Sequence, residues 1–245
     1  MNTSIEAGLA ALGGPAPTMT APAVALGTGL VAGFSVYEAP VGEVAVTFTP
    51  EGVRSVRLVE EVGGEAMEAR PPRAWAEKIR RALDEGRPGD LPLDLTSVTP
   101  FRRRVLDQAA TIPRGEVRSY GWLARHVGSP GASRAVGSAM ATNPVPLIIP
   151  CHRVVRSDGH IGAYSLGGPH NKWALLSHEG AEPDQLEDLA AAGIRYVGSD
   201  TTGIFCVPSC RNARRITSPH RVGMRSEKEA EMAGFRPCRV CRPLG

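Results

Sequence analysis

Between Phe34 and Val59 apolar and polar residues alternate with period two, the mark of half-buried strands. Val44, Val46 and Phe48 fall on one face, a Thr49-Pro50-Glu51-Gly52 turn follows, and Val56 and Leu58 resume the pattern, predicting a small antiparallel sheet. The period then lengthens. Trp75, Ile79, Ala82 and Leu83 share one side of a helix ending near Gly86, and Leu91 to Leu95 predicts one more strand. Thr99-Pro100 places a capping residue before a proline at the first helical position, opening a helix that buries Phe101, Val105, Leu106 and Ala109. Ser119 to Val127 and Ala132 to Met140 predict two helices joined by a Gly128-Ser-Pro-Gly131 turn. Asn143 to Pro150, apolar and bounded by prolines, predicts a buried strand running into Cys151. A helix from about residue 171 to 179, with Gly180 as its C-cap, and an acidic linker helix over 183–193 follow.

These elements predict an α+β chain. Residues 1–33 form a disordered tail, 34–97 a sheet-plus-helix domain and 98–181 a helical domain, with a linker at 182–193 and a small module at 194–245. The tail is rich in Ala, Gly, Pro and Thr and has no basic start, so it does not read as a secretory signal. The 21 Pro and 28 Gly of the 245 residues fit many loops. No apolar run approaches a membrane span, which argues against membrane function, and the lack of a secretory signal predicts a reducing cytoplasm. A monomer is the expectation.

The net charge of +3 conceals a division. Residues 195–245 carry +6 and residues 1–194 carry −3. A basic module on a slightly acidic body points to a polyanion, with nucleic acid first. The helix–turn–helix at 119–140 fits that partner, since such pairs present their second helix to DNA. That helix carries Ala135, Gly137, Ser138 and Ala139, small enough for close approach to a narrow surface, with Arg134 its only long polar side chain.

A lone buried cysteine is by default an inert small hydrophobe. Cys151 differs by its surroundings. It follows a proline, precedes His152 and lies close to Arg153, a setting expected to favour the nucleophilic thiolate. Adjacent residues on an extended chain point to opposite faces, so Cys151 and His152 predict a relay through water and not a direct pair. Glu179, in the last turn of its helix, opposes the helix dipole, which suits either a partner for His152 or a plain exposed carboxylate.

The run Ile149-Pro-Cys-His-Arg-Val-Val155 resembles the active-site motif of the O6-alkylguanine-DNA alkyltransferases. The resemblance covers residues 98–181 through Ser119-Tyr-Gly-Trp-Leu-Ala124, Ser133-Arg-Ala-Val-Gly137, Asn143-Pro-Val-Pro146, Gly162-Ala-Tyr-Ser165 and His178-Glu-Gly180. It implies stoichiometric transfer of an alkyl group from O6-alkylguanine, with O4-alkylthymine a further candidate, to Cys151. His152, a water and Glu179 would deprotonate the thiol, and Tyr120 would donate to the guanine ring. Ser165 and Tyr164 would border the O6 side of the pocket. Arg134 would fill the space left by a flipped nucleotide, beside the small residues Ala135 and Gly137. Asn143 would brace the turn between the second helix and the active-site strand, and Arg153 would lie among the residues that meet substrate or DNA. The implied partner is double-stranded DNA carrying alkylated guanine, and guanine transfer needs no cofactor.

The other four cysteines form two close pairs, Cys206/Cys210 and Cys238/Cys241, the spacing of a four-thiolate zinc site. A redox pair at 238 and 241 would leave the first pair unexplained. The surroundings, Thr201-Thr-Gly-Ile-Phe-Cys206, Ala213-Arg-Arg215 and Ala233-Gly-Phe-Arg-Pro-Cys238, resemble the zinc domain of Ada-type proteins. That resemblance implies Cys206 as a second acceptor, for methylphosphotriesters, with Arg214 and Arg215 near phosphate. A structural zinc site that only supports DNA binding is the alternative. Val207 stands where the family often has arginine, and the module follows the alkyltransferase segment instead of preceding it. Two other classes compete for the whole chain. A cysteine hydrolase would need a direct Cys–His pair, and a damage binder would need no thiol at 151.

Overall fold

The computed structural model describes residues 21–64 and 66–244. Strands β1 (Ala32–Ala39), β2 (Gly42–Thr49) and β3 (Gly52–Leu58) form an antiparallel meander. A short β4 (Ala66–Glu68), not anticipated from the sequence, joins β1 in parallel to give the order β3-β2-β1-β4. Two expectations fail here. Residues 21–33 are not a disordered stretch, since Ala21–Gly27 is a short helix, α1, and β1 begins at Ala32; residues 1–20 lie outside the described residues. Leu91–Leu95 is not a strand but a single bridge between Val53 and Leu93. Pro92 has no N–H to extend a ladder, and the Asp94 side chain turns instead to Thr49, Arg54 and Thr96.

Helix α2 (Arg73–Glu85) lays Ile79, Ala82 and Leu83 on the core and stops at Gly86, whose φ of 62° is left-handed. Helices α3 (Pro100–Ala109), α4 (Tyr120–His126) and α5 (Ser133–Ala141) pack on one another. Ser119 caps α4, its hydroxyl accepting from the Trp122 amide at 3.1 Å. Thr99 makes no such bond, so Pro100 alone marks the start of α3.

The expected strand from Asn143 to Pro150 is absent. Three prolines remove ladder donors there, and the segment folds into tight turns, with the Ile149 amide on Val145 O at 2.9 Å and Leu147 at φ 70°. Cys151–Arg153 is one turn of 3-10 helix, so the argument that Cys151 and His152 point oppositely along an extended chain does not apply. Only β6 (Val154–Val155) is extended, pairing in parallel with β5 (Arg118–Ser119). Helix α6 (Gly168–His178) starts three residues before the expected 171. Glu179 is its cap, and Gly180, at φ 79°, is the left-handed residue one place further on. Helix α7 (Pro183–Ala191) follows.

One buried apolar cluster runs from Val44, Val53 and Ile79 through Leu106 and Leu123 to Ile148 and Leu175. The boundary expected at 97/98 therefore separates layers of structure around one core. The last segment has its own sheet, β10-β8-β7-β9, from β7 (Tyr196–Ser199), β8 (Ile204–Cys206), β9 (Arg221–Met224) and β10 (Arg236–Pro237), with helix α8 (Glu227–Met232). It clasps the rest of the chain. Ser209 Oγ accepts from the Val117 amide at 2.8 Å and donates to its carbonyl at 3.2 Å, the Arg211 amide donates to Glu116, and Trp122 Nε1 donates to Arg242 O at 2.8 Å. Among the described residues no helix is long and apolar enough to cross a membrane.

Candidate active site and metal centre

Cys151 is 4 % exposed and lines a pocket of about 180 Å³ with Tyr120, Met140, Ala141, Ala163, Tyr164 and Ser165. The turn that carries the sulfur is held by Asn143. Its amide nitrogen donates to Ile149 O at 2.8 Å and to Cys151 Sγ at 3.2 Å, and its side-chain oxygen accepts from the Val145 amide. Asn143 thus ties this turn together and also touches the Cys151 sulfur.

His152 Nε2 lies 2.9 Å from Glu179 Oε1, fixing that nitrogen as the N–H donor to a carboxylate. Nδ1 is then the basic nitrogen, and it is buried with no hydrogen-bond partner among the described residues. Burial pushes the His152 pKa down, against the pull of Glu179, so the ring rests neutral and able to take a proton. Burial likewise raises the Cys151 thiol above its ordinary value, outweighing the Asn143 hydrogen bond and the charge of Lys172. This direction runs against the thiolate-favouring setting expected from the sequence.

Arg153 does not serve that thiol or any ligand. It is 1 % exposed, and its guanidinium spends its donors on both Glu179 oxygens and on the carbonyls of Glu85, Gly86 and Ile112. Placing Arg153 among substrate or DNA contacts is therefore corrected, because no face of it reaches the surface. Gly86 is part of this arrangement, since a Cβ there would stand 2.3 Å from Arg153 Nη2. Glu179 gains a further donor from the Gly115 amide, and hydrogen bonds and charge from His152 and Arg153 hold its carboxyl down at about 2, against the opposing effect of burial. Its place against the helix dipole is offset by these partners.

A buried cation whose charge acts on Cys151 is Lys172, which sequence reasoning missed. It is fully buried on α6, donating to the carbonyls of Val154, Ile161 and Ala163. Desolvation lowers its pKa to about 8. In sequence it is one lysine in a helix with little amphipathic pattern, and only its spacing from Leu175 and Leu176 hints at burial. The lysine ties the end of β6 to the loop bearing Tyr164 and Ser165. Lys172→Met is expected to destabilise the fold by about 1–3 kcal/mol, by leaving carbonyls unsatisfied, as thermal melting would measure. Tyr164 sits at 6.2 Å, edge to face, from His152; its buried hydroxyl has no partner meeting hydrogen-bond geometry among the described residues, and burial and the neighbouring Cys151 hold its proton on.

Tyr120, Tyr164 and Ser165 thus meet at Cys151 as expected, with Met140, Ala141 and Ala163 added. Arg134 and Ala135 are exposed on α5, and Gly137 is half-buried with open space where a side chain would be. Arg214 and Arg215 are exposed, although Arg214 already donates to Gly180 O at 2.9 Å.

At the other centre the ligand atoms of Cys206, Cys210, Cys238 and Cys241 all lie within 4.8 Å of one another, and all four residues are buried. Sulfurs about 2.3 Å from one tetrahedral zinc would stand at such separations, so the residues fit a zinc ion. Crowding shows in the thiols: Cys206 is pushed far up by its neighbours Cys210 and Cys241, because so many thiolates cannot coexist without a cation. Asn212 and the Val240 amide donate to Cys238 Sγ, as ligating thiolates require.

A buried thiol in a small pocket, backed by a His–Glu pair and fronted by a helix-turn-helix, defines a DNA-directed group-transfer protein. Residues 100–181 match the family described as 6-O-methylguanine DNA methyltransferase, DNA binding domain, and residues 185–243 match the metal binding domain of Ada. The mouse methylated-DNA–protein-cysteine methyltransferase is 38 % identical over 191 residues, 68 % of this chain and 88 % of the relative. The namesake from Methanothermobacter thermautotrophicus is 39 % identical over 147 residues, 58 % of this chain and 81 % of the relative. The crystal structure of Mycobacterium tuberculosis OGT in complex with DNA is similar at 33 % identity and TM-score 0.52, covering 63 % of this chain and 98 % of that one. The chain belongs to the methylated-DNA–protein-cysteine methyltransferase family, enzymes of alkylated-DNA repair, and carries an Ada-type zinc-binding domain.

Proposed function

We infer that the chain repairs double-stranded DNA by moving the alkyl group of O6-alkylguanine onto Cys151, once per molecule. The observation that carries this reading is the Cys151 sulfur at the wall of a pocket of about 180 Å³, with hydroxyl-bearing side chains around it and the His152–Glu179 pair beside it. The sulfur attacks the alkyl carbon, the carbon–O6 bond breaks, and its electron pair stays on the guanine. The thiol proton passes through water to His152 Nδ1, and the imidazolium so formed is stabilised by Glu179. Tyr120 donates to the guanine ring and offsets the charge it gains. The product is a thioether, a poor leaving group, so the sulfur is not regenerated.

The target atom is hidden in a stacked duplex, which requires the base to be flipped at a cost of a few kcal/mol. Arg134, exposed on α5 between small residues, suits insertion into the space left behind. Ser165 and Tyr164 border the alkyl side of the pocket. Incubation with a duplex bearing O6-methylguanine is expected to add one methyl, on Cys151, and Cys151→Ala to abolish that addition. Repeated turnover, or transfer that survives the substitution, would overturn the reading.

A second acceptor role falls to Cys206, for methylphosphotriesters of the DNA backbone. Cys206 lines an opening of about 340 Å³ together with Thr201, Thr202, Arg215 and His220, groups able to receive a phosphate. Peptide mapping of the same samples scores Cys206 beside Cys151. A purely structural zinc site would leave Cys206 unmodified on duplexes carrying the triester.

A further inference from the structure

A further opening lies apart from both the Cys151 pocket and the one at Cys206. It is a cleft of about 490 Å³ where the zinc-binding domain meets α4 and the turn after β6. Six cations line it: Arg118, Arg125, Arg156, Arg195, Arg225 and Lys228. Three are engaged, Arg118 with Glu116, Arg125 with Glu227, and Arg156 with Asp158. Among the described residues the side chains of Arg195, Arg225 and Lys228 form no ion pair within 4 Å, although the Arg225 amide donates to Glu229 Oε2 at 2.6 Å.

Several donors there are buried and unused. Arg118 is only 4 % exposed, yet its Nε has no partner among the described residues, and the same holds for Arg125 Nε and Arg195 Nη1. Buried guanidinium N–H groups without acceptors are costly, and an anion is the ligand that relieves them. The volume lies within the range of small-ligand sites, about 300–1,000 Å³. The approach to the cleft is also polar. Ser119, Ser133 and Ser157 converge, their hydroxyls 3.7, 3.8 and 3.3 Å from where a Cβ on Gly121 would be. Ser133 opens α5, the helix that carries Arg134.

We propose that this cleft is a phosphate-binding subsite that takes the DNA backbone as it leaves the helix-turn-helix and leads it onto the zinc-binding domain. A backbone tracking along α5 passes the three hydroxyls and reaches the six cations. The proposal rests on the reading that duplex DNA is the substrate.

The test uses the full zinc-loaded chain and its Arg195→Gln/Lys228→Gln double variant, with thermal melting to establish that both are folded. Binding to an unmodified duplex is followed as salt is raised. Each phosphate contact contributes about 0.9 to the slope of log K against log salt, so losing two contacts is expected to lower the slope by nearly two. A shorter duplex, able to cover α5 but not the cleft, is expected to show no difference between the proteins. An unchanged slope on the long duplex overturns the proposal. So does pyrophosphate binding that the variant loses while its duplex slope stays unchanged, which would assign the cleft to a small phosphate ligand. Methylation of Cys151 in the wild type, measured alongside, separates the two readings: its absence sinks the proposed function, whereas its presence with an unmoved slope sinks only the cleft.

Discussion

Replacing Arg153 with methionine is expected to cost about 3–5 kcal/mol of stability, a fall of roughly 10 °C in the melting midpoint of a chain this size. The change strands the Glu179 carboxylate in the interior and leaves the carbonyls of Glu85, Gly86 and Ile112 without their donor. Transfer should fall as well, because Glu179 is what turns His152 toward its acceptor tautomer. The pH dependence gives an independent check. Glu179 titrates near 2 in the fold and near 4.5 when free, so its contribution is fully present above about pH 4.5 and is lost as pH falls from there toward 2. The shift corresponds to about 3 kcal/mol at neutral pH. Glu179→Gln should flatten this acid limb of the stability curve. An acid limb identical to wild type would show that the carboxylate is not held as the geometry says.

Stripping zinc with a chelator is expected to unfold residues 196–241 while leaving the main core intact. One of the two small buried clusters in this domain is Val197 and Ala213 with the four cysteines themselves, and the other is only Phe205, Met224 and Ala230, so without the metal little core remains to hold the domain together. Apparent zinc-binding free energies of about 10–16 kcal/mol in such domains are in effect folding energy. Hydrogen exchange should therefore show lost protection in β7–β10 on chelation and retained protection in α3 and around Leu106 and Ile148. Uniform loss across the chain would contradict this separation. Unchanged protection everywhere would mean that the four thiols need no cation.

The sequence made visible what depends on local rules. Alternation placed the β1–β3 meander, helical spacing placed Ile79 and Leu83, Gly86 marked the end of α2, and the cysteine pairs announced the metal centre. It misled where an apolar run meets prolines. Residues 143–150 are apolar enough for a strand, but a ladder needs donors, and Pro144, Pro146 and Pro150 have none. The polar interior was hidden for a different reason. Arg153 beside a cysteine reads as free positive charge until the carboxylate 26 residues away is known to neutralise it. Lys172 reads as a surface lysine until three carbonyls from two segments close on it. β4 pairs in parallel through so few residues that no pattern in three positions could announce it.

The continuous core has a consequence for dissecting this protein. A fragment beginning at residue 98 would keep the thiol, its pocket and α5, yet lose Val44, Val46, Val53, Val56, Ile79 and Leu83 from the one buried cluster they share with Leu106, Leu123 and Ile148. Greasy surface of that extent drives self-association. Such a fragment would be sticky and short-lived in solution even with its thiol in place, so the sheet and helix that precede it act as a built-in solubiliser for the rest.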